Sequence, residues 1–261
     1  MIKAKKSLGQ NFLVDNNILN KIVSSTIIEN KTILEVGPGT GNLTEYILKK
    51  NPKKILIIEK DNKLASFLNK RFEDNLDIIN EDILKINENE LSKEKVVVFG
   101  NLPYNISTEI LVKWIINIKD IFWFESLTLM FQKEVADRII SNFNQSKYGR
   151  LSILSNWKLN VCKICDIKPT SFFPKPKIDS SLLFFTPKEN YYKFKDPKNL
   201  EKITRVFFNN RRKMIKKPFN QIFNGDLKIS EKLKINLNLR PQNLNFETYY
   251  KLTKEYENLR S

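Results

Sequence analysis

The chain has 261 residues, no His, two Cys and a net charge of +16, with 45 Lys and Arg against 29 Asp and Glu. The length allows one large domain and a small one, and an apolar fraction of 41% is that of a folded protein. The lack of His excludes His-based triads and His metal sites, while the charge favours a polyanionic partner.

An alternating series of strands and helices is predicted for the first half of the chain. Asp15 is the expected N-cap of a helix that runs to about residue 25. Strands are then expected at residues 32–36, 55–59, 76–80, 96–99 and 127–131, with helices at 42–50, 62–72, 108–117 and 133–141. This β–α rhythm predicts an α/β fold with a mostly parallel sheet.

The pattern changes after residue 150. A helix is expected at 151–157, and strands at 160–167 and 181–185 flank a proline-rich segment, which indicates an antiparallel hairpin at the sheet edge. From residue 188 onward the pattern is helical, with 18 Lys and Arg against 8 Asp and Glu. We therefore expect one domain over residues 1–187 and a small, basic, all-α domain over residues 188–261.

Cysteine usage and hydropathy indicate the type of environment. Cys162 and Cys165 have a zinc-like spacing, but the two further soft ligands that zinc would need do not exist in the chain. We interpret them as reduced thiols. The sequence shows no signal peptide and no long apolar run, so we expect a soluble, cytoplasmic protein.

A glycine-rich turn follows the first predicted strand, in the sequence EVGPGTG at residues 35–41. Gly37 and Gly39 let the backbone approach a ligand closely. The dinucleotide fingerprint would need Gly at position 42, where this chain has Asn42. Glu35 suits a cationic ligand, and S-adenosylmethionine carries both a sulfonium and an ammonium group.

Acidic residues follow the next two strands. Glu59 comes 22 positions after Gly37, where a carboxylate can accept hydrogen bonds from both ribose hydroxyls. Asp82 follows the third strand and could accept from the adenine amine of the cofactor. Each acid alone could be a surface charge, but three acids at successive strand ends beside a glycine-rich turn favour a cofactor site.

The tetrapeptide Asn101-Leu102-Pro103-Tyr104 follows the apolar run at residues 96–99. The side-chain oxygen of Asn101 and the carbonyl of Leu102 can accept from the exocyclic amine of a base, and the Tyr104 ring can stack on the base. Taken by itself, the tetrapeptide is equally typical of a β-turn with a packed tyrosine.

Six segments of the chain resemble the ribosomal RNA adenine dimethyltransferase family, and most closely its bacterial branch that acts on small-subunit 16S rRNA. The resemblance covers nearly the whole chain. The segments are residues 6–13 (KSLGQNFL), 35–41 (EVGPGTG), 101–107 (NLPYNIS), 148–152 (YGRLS), 172–180 (FFPKPKIDS) and 208–213 (FNNRRK).

The resemblance implies a Rossmann-like S-adenosylmethionine-dependent methyltransferase sheet with an antiparallel edge strand, followed by the small all-α domain. It implies that Asn11 and Leu13 close over the cofactor. It also implies that the cofactor is contacted by Gly37, Glu59, Asp82 and Asn101.

The implied activity is dimethylation of the N6 amines of two adjacent adenosines near the 3′ end of 16S rRNA, without a metal. For the extruded adenine we expect stacking by Tyr104 on one face and Phe172 on the other, unless Phe172 is a core residue. The implied partner is 16S rRNA in the small ribosomal subunit or its precursor, bound by a monomer. The residues expected to contact rRNA phosphates are Arg211, Arg212, Lys213, Lys216 and Lys217.

Three alternatives remain at this point. Lys175 departs from the bacterial small-subunit enzymes, which often have Pro there, and its Pro-Lys-Pro-Lys run is typical of the 23S rRNA methyltransferases of erythromycin resistance. DNA adenine methyltransferases share the chemistry but usually have Pro where this chain has Leu102. A ribosome assembly factor could keep the fold without catalysis, although the intact site residues argue against that loss.

Overall fold

The computed structural model describes Lys5 and residues 9–260. Within this range, the helices are α1 (Asn16–Val23), α2 (Asn42–Leu48), α3 (Asn62–Phe72), α4 (Ser107–Asn117), α5 (Lys133–Ile140), α6 (Arg150–Lys158), α7 (Lys198–Phe208), α8 (Lys216–Phe223), α9 (Leu227–Lys232) and α10 (Phe246–Asn258). The strands are β1 (Phe12–Leu13), β2 (Thr32–Val36), β3 (Lys54–Ile58), β4 (Asp77–Ile79), β5 (Val96–Gly100), β6 (Phe124–Gln132), β7 (Leu159–Ile167), β8 (Phe172–Phe173) and β9 (Ser180–Pro187).

Seven of the described strands form one sheet in the order β4-β3-β2-β5-β6-β9-β7. The pairs β3–β4, β2–β3, β2–β5 and β5–β6 are parallel, and β9 pairs antiparallel with β6. The predicted α/β fold with a mostly parallel sheet is confirmed. After β2, the chain adds β3 and β4 on one side of this strand and then β5 and β6 on its other side. Open α/β sheets bind ligands at such a switch point, which here lies between β2 and β5.

Local sequence explains where the helices that flank the site begin. Asp15 accepts hydrogen bonds from the backbone N–H groups of Asn17 and Ile18, as expected for the N-cap of α1. Asp61 is the N-cap of α3 and accepts from the backbone N–H of Lys63. Helix α2 begins directly after the glycine-rich turn, so its first N–H groups lie beside that turn.

One core cluster lies between the first helices and the sheet. It is made of buried apolar side chains from α1, α2, α3 and the strands β2, β3 and β5, and it includes Leu13 and Phe172. The central strands β2 and β5 are buried along their whole length, which explains the continuously apolar sequence of β5, while β2 also buries Thr32 and Glu35.

The described chain divides into two compact units. The first contains the residues up to Trp114, with Ile118–Ala136 and Val161–Pro187, and the second contains Ile115–Asn117, Asp137–Asn160 and the residues from Lys188 onward. The division at Pro187 and Lys188 falls at the predicted boundary. It differs from the prediction in grouping α6 with the C-terminal helices, because α6 packs against α7 and α10.

None of the described helices is both long enough and apolar enough to cross a membrane. Three residues of the N-terminal motif, Lys6, Ser7 and Leu8, lie outside the described residues.

Candidate active site

Strand register brings three predicted site residues to the same level of the sheet edge. Val36 of β2 is paired with Ile58 of β3 on one side and with Gly100 of β5 on the other. The residues that follow these three are Gly37, Glu59 and Asn101. They therefore leave the carboxyl edge of the sheet side by side, although they are widely separated in sequence.

The glycine-rich turn needs its glycines for two physical reasons. Gly37 has φ +70°, and a Cβ there would lie 3.1 Å from the backbone oxygen of Asn101. Gly39 has φ +60°, and a Cβ there would lie 2.6 Å from the ring of Phe12. Side chains at these positions would be strained and would displace the walls of the site.

A cavity of about 210 Å³ opens at this edge of the sheet. Apolar walls come from Ile58, Leu64 and Ile83, and the carboxylates of Glu59 and Asp82 face it from two strand ends. The remaining predicted residues that line it are Asn11, Gly37, Gly39, Asn101, Leu102, Pro103 and Tyr104.

Glu59 is held in one orientation at the edge of this cavity. Its Oε1 accepts a hydrogen bond of 2.8 Å from the backbone N–H of Asp61, and the residue is 7% exposed. Burial raises the pKa of its carboxyl group. The fixed carboxylate is suited to accept hydrogen bonds from a pair of hydroxyl groups.

Asp82 already takes part in two interactions. Its Oδ1 accepts from the backbone N–H of Leu84, and its Oδ2 lies 2.6 Å from Nζ of Lys60. The Lys60 hydrogen bond lowers the pKa of the Asp82 carboxyl group. Because each carboxylate oxygen has two lone pairs, Asp82 retains capacity to accept from a ligand amine.

Residues 9–13, here called the N-terminal strap, border the same cavity. Gly9, Gln10, Asn11 and Phe12 line it, and Phe12 and Leu13 form the two-residue strand β1. Asp61, the N-cap of α3, contacts both the strap and Lys5, which precedes the strap in sequence. Its Oδ2 lies 2.7 Å from Nζ of Lys5 and accepts from Nε2 of Gln10 at 3.3 Å.

The strap also determines the orientation of the Asn101 side chain. Nδ2 of Asn101 donates to the backbone oxygen of Asn11 at 2.9 Å. A carbonyl oxygen only accepts, so the amide must present its NH₂ group to Asn11 and its Oδ1 away from it. Among the described residues, none donates a hydrogen bond to this Oδ1 or to the Leu102 carbonyl.

Tyr104 lines the cavity with its hydroxyl group tethered. The hydroxyl oxygen lies 2.5 Å from Oγ of Ser180, at the start of β9. Burial raises the pKa of this phenol, with the Ser180 hydrogen bond acting in the opposite direction, so it stays protonated at neutral pH. A ring held by its hydroxyl group is pre-organised to stack on a planar ligand.

Glu35 occupies a different place from the other acids. It is 1% exposed, accepts a hydrogen bond of 2.6 Å from Oγ1 of Thr44, and lines a smaller neighbouring cavity that it shares with Gly37 and Asn101. Burial raises its pKa to about 7, against the hydrogen bond from Thr44. Glu35 therefore fastens α2 to β2 beneath the glycine-rich turn.

Two predicted site residues belong to the core. Leu13 is 5% exposed and Phe172 is 2% exposed, and they are paired in the antiparallel ladder of β1 and β8. The backbone oxygen of Leu13 accepts from Nδ2 of Asn42. A ring enclosed by other side chains is not open to a base, so the position of Phe172 does not support its predicted stacking role and matches the core alternative.

The predicted basic cluster lies in the second unit, in the connection between α7 and α8 and at the start of α8. Arg212, Lys213, Lys216 and Lys217 are exposed. Arg211 differs from them, because its guanidinium group donates to the backbone oxygen of Ser146 and to Oε1 of Gln242. These hydrogen bonds give Arg211 a structural role, and its phosphate contact stays a prediction. The other four side chains are exposed, which suits the predicted contact with phosphates.

Sequence reasoning missed Asp61, Gln10 and the apolar walls of the cavity. Asp61 could have been found as an N-cap, because it follows a strand and precedes a helical pattern. Its contact with Lys5 joins positions 56 residues apart and has no local signature.

Sequence comparison with known proteins identifies relatives along nearly the whole chain. The family model described as ribosomal RNA adenine dimethylase matches residues 1–258. A curated relative named ribosomal RNA small subunit methyltransferase A, from Pelagibacter ubique (strain HTCC1062), is 68% identical over 99% of both chains. A relative with the same name, from Wolbachia sp. subsp. Drosophila simulans (strain wRi), is 42% identical over 98% of this chain and 95% of its own.

Solved structures show the same architecture. A dimethyladenosine transferase from Plasmodium falciparum superposes with a TM-score of 0.79 at 28% identity, covering 95% of this chain and 98% of its own. The 23S rRNA methyltransferase ErmE superposes with a TM-score of 0.69 at 20% identity, covering 95% of this chain and all of its own, and this likeness shows the fold alone. The chain belongs to the ribosomal RNA adenine dimethylase family, as its six motifs predict.

Proposed function

We propose that this protein methylates the N6 amines of two adjacent adenosines near the 3′ end of 16S rRNA, giving N6,N6-dimethyladenosines. The observation that carries the proposal is the fixed amide of Asn101, whose NH₂ group is held by the Asn11 carbonyl. The small-subunit names of the relatives support 16S rRNA over 23S rRNA as the substrate.

The cavity fits S-adenosylmethionine, which supplies the methyl group when it is bound. Gly37 and Gly39 let the backbone pass close to Asn101 and Phe12, which line the cavity, and a Cβ at either glycine would displace these walls. Glu59 would hold the ribose hydroxyls, and Asp82 would accept from the adenine amine above the apolar walls. Asn11 would cover the ligand from the N-terminal strap.

The exocyclic amine of adenine is a weak nucleophile because its lone pair is delocalised into the ring. Oδ1 of Asn101 and the carbonyl of Leu102 would accept the two amine hydrogens and favour a pyramidal nitrogen. These fixed acceptors also stabilise the positive charge that develops on N6. Each round adds one methyl group to N6 and releases one proton to water, so no strong base is required.

Tyr104 would position the target base. Its tethered ring would stack on the extruded adenine, and the fixed ring avoids an ordering cost on binding. The second round brings back a monomethylated amine with one hydrogen, so one acceptor suffices then. The pocket must therefore accommodate a methyl group beside Asn101 or Leu102.

The proposed partner is 16S rRNA within the small ribosomal subunit or its precursor, in the cytoplasm, with a role in small-subunit biogenesis. The exposed residues Arg212, Lys213, Lys216 and Lys217 would contact rRNA phosphates. This assignment is consistent with the excess of positive charge beyond residue 187.

The test is methyl transfer from labelled S-adenosylmethionine to small subunits that lack the mark, to naked 23S rRNA and to duplex DNA. Mass spectrometry then identifies the modified nucleoside, and the Asn101→Ala variant controls for contaminating activity. Dimethyladenosine confined to the small subunit is expected. Label confined to 23S rRNA would make this a resistance-type enzyme, and binding without any label would make it an assembly factor.

A further inference from the structure

We infer that the loop of residues 173–178 is a second rRNA contact beside the cavity. In this arrangement, Phe173 stacks on a base that flanks the target adenosine, and Lys175 and Lys177 meet the adjoining phosphates. The inference rests on the proposed function, because it requires a single-stranded RNA segment to enter the cavity. It adds an RNA contact in the first unit, separate from the basic cluster of the second.

Both ends of the 173–178 loop are attached to residues that line the cavity. At its start, Phe173 is paired with Phe12 in the ladder of β1 and β8. Just beyond its end, Oγ of Ser180 lies 2.5 Å from the hydroxyl oxygen of Tyr104. Phe12 and Tyr104 both line the cavity. The loop is therefore held beside the place where the target base must enter.

The ladder also determines which way the two adjacent phenylalanines point. Successive side chains of a strand point to opposite faces, and directly paired residues share a face. Leu13 and Phe172 point into the core, so Phe173 lies on the other face together with Phe12. Phe173 is 66% exposed, whereas Phe172 is 2% exposed. An exposed ring beside the cavity is placed to receive a base.

The chemistry of the loop favours RNA. Lys175 and Lys177 are exposed, the loop has no acidic residue, and neighbouring Asp179 is paired with Lys168 at 3.3 Å. An exposed aromatic ring beside lysines suits single-stranded nucleic acid, because bases stack on the ring while phosphates meet the charges. Pro174 and Pro176 restrict the backbone, so little ordering is required on binding.

The first test compares Phe173→Ala and the double variant K175E/K177E with the wild-type protein, using unmethylated small subunits as substrate. Phe67→Ala removes an exposed ring from α3 and K50E/K70E reverses two exposed charges, so these are matched controls. We expect Phe173→Ala to raise KM for the subunit about tenfold, the size of a lost base stack. Its affinity for S-adenosylmethionine should not change, and neither control should alter either value.

A direct contact is tested by replacing Phe173 with p-benzoylphenylalanine and mapping light-induced crosslinks on the small subunit. Crosslinks are expected at nucleotides next to the methylated adenosines. Crosslinks to ribosomal protein alone would overturn the inference, and so would an unchanged KM in both loop variants. In either case, methylation by the wild-type protein would leave the proposed function standing. Loss of the proposed function would be recognised separately, as absence of dimethyladenosine with the wild-type protein.

Discussion

Nδ2 of Asn101 donates a hydrogen bond to the backbone oxygen of Asn11, at 2.9 Å, and so joins two segments that are 90 residues apart in sequence. The contact couples the N-terminal strap to the tetrapeptide that is proposed to hold the target amine. An acceptor that is already oriented before the base arrives needs no reorganisation during the reaction, which is how preorganised groups lower a barrier.

Asn101→Ala and Asn101→Asp should therefore fail in different ways. The Ala variant lacks the acceptor, and we expect its kcat to fall about 100-fold or more while subunit binding is retained. The Asp variant keeps an acceptor but sets a carboxylate oxygen against the Asn11 carbonyl, so the strap should be displaced and KM for S-adenosylmethionine should rise. Single-turnover methylation and equilibrium cofactor binding separate the two effects. Equal behaviour of both variants would count against a role for the Asn11 contact.

We expect the contacts of Asp61 with Lys5 and Gln10, here called the latch, to hold the strap in place over the bound cofactor. Asp61→Asn keeps the N-cap of α3 but removes the charge that attracts Lys5, and Lys5→Gln removes the other partner. Because Lys5 is half-exposed, each change should weaken cofactor binding about two- to fivefold. The double variant should bind the cofactor no more weakly than the single variant with the lower affinity, because both changes break the same ion pair.

Asp226→Asn is the matched control for the latch, since Asp226 is the N-cap of α9 in the second unit. Like Asp61→Asn, it keeps the N-cap, because Asn and Asp cap helices about equally well, and it should leave cofactor affinity unchanged. Additive losses in the Lys5 and Asp61 cycle, or the same affinity change in Asp226→Asn, would contradict the latch. Calorimetric titration with S-adenosylmethionine at low and high salt provides the measurement, because screening of the ion pair should shrink the difference in affinity between the wild-type protein and the single variants.

Glu35 should make the protein less stable as pH rises. Its pKa is about 7 in the folded protein and 4.5 when exposed, so between these values the folded state binds more protons than the unfolded state. The contribution is fully present below about pH 4.5 and is lost as pH rises through about 7, a change on the order of 3 kcal/mol.

Glu35→Gln should remove this dependence, because the Gln side chain can still accept from Thr44 and never ionises. Urea unfolding at about pH 5 and about pH 8 measures the difference in unfolding free energy for each protein. Glu29→Gln, at an exposed position, is the control for the chemical change. A fall in stability that is as steep in Glu35→Gln as in the wild-type protein would show that Glu35 is already ionised when folded.

Sequence patterns predicted the parts of this fold that depend on local periodicity. Helix α3 begins and ends where the apolar spacing indicates, and Glu59 and Asn101 line one cavity because parallel strands end at one edge. The two-residue strands β1 and β8 are too short to show a period of two. For that reason the sequence could not tell which of Phe172 and Phe173 points into the core.

The basic cluster shows the same limit, since Arg211 and Arg212 are adjacent and equally basic yet have different surroundings. Arg211 is held by Ser146 and Gln242, so Arg211→Ala should lower the melting temperature through lost hydrogen bonds. Arg212 and Lys213 are exposed, so R212E/K213E should weaken subunit binding without changing stability.

Salt dependence separates the two roles of these neighbours. Each lost phosphate contact should lower the slope of log affinity against log salt by about one. R212E/K213E should therefore flatten the slope, whereas Arg211→Ala should leave it unchanged at temperatures where the protein is folded. K228E/K234E carries the same charge change at exposed positions of the second unit and is the control. A slope flattened equally by K228E/K234E would mean that net charge, and not the cluster between α7 and α8, determines binding to the subunit.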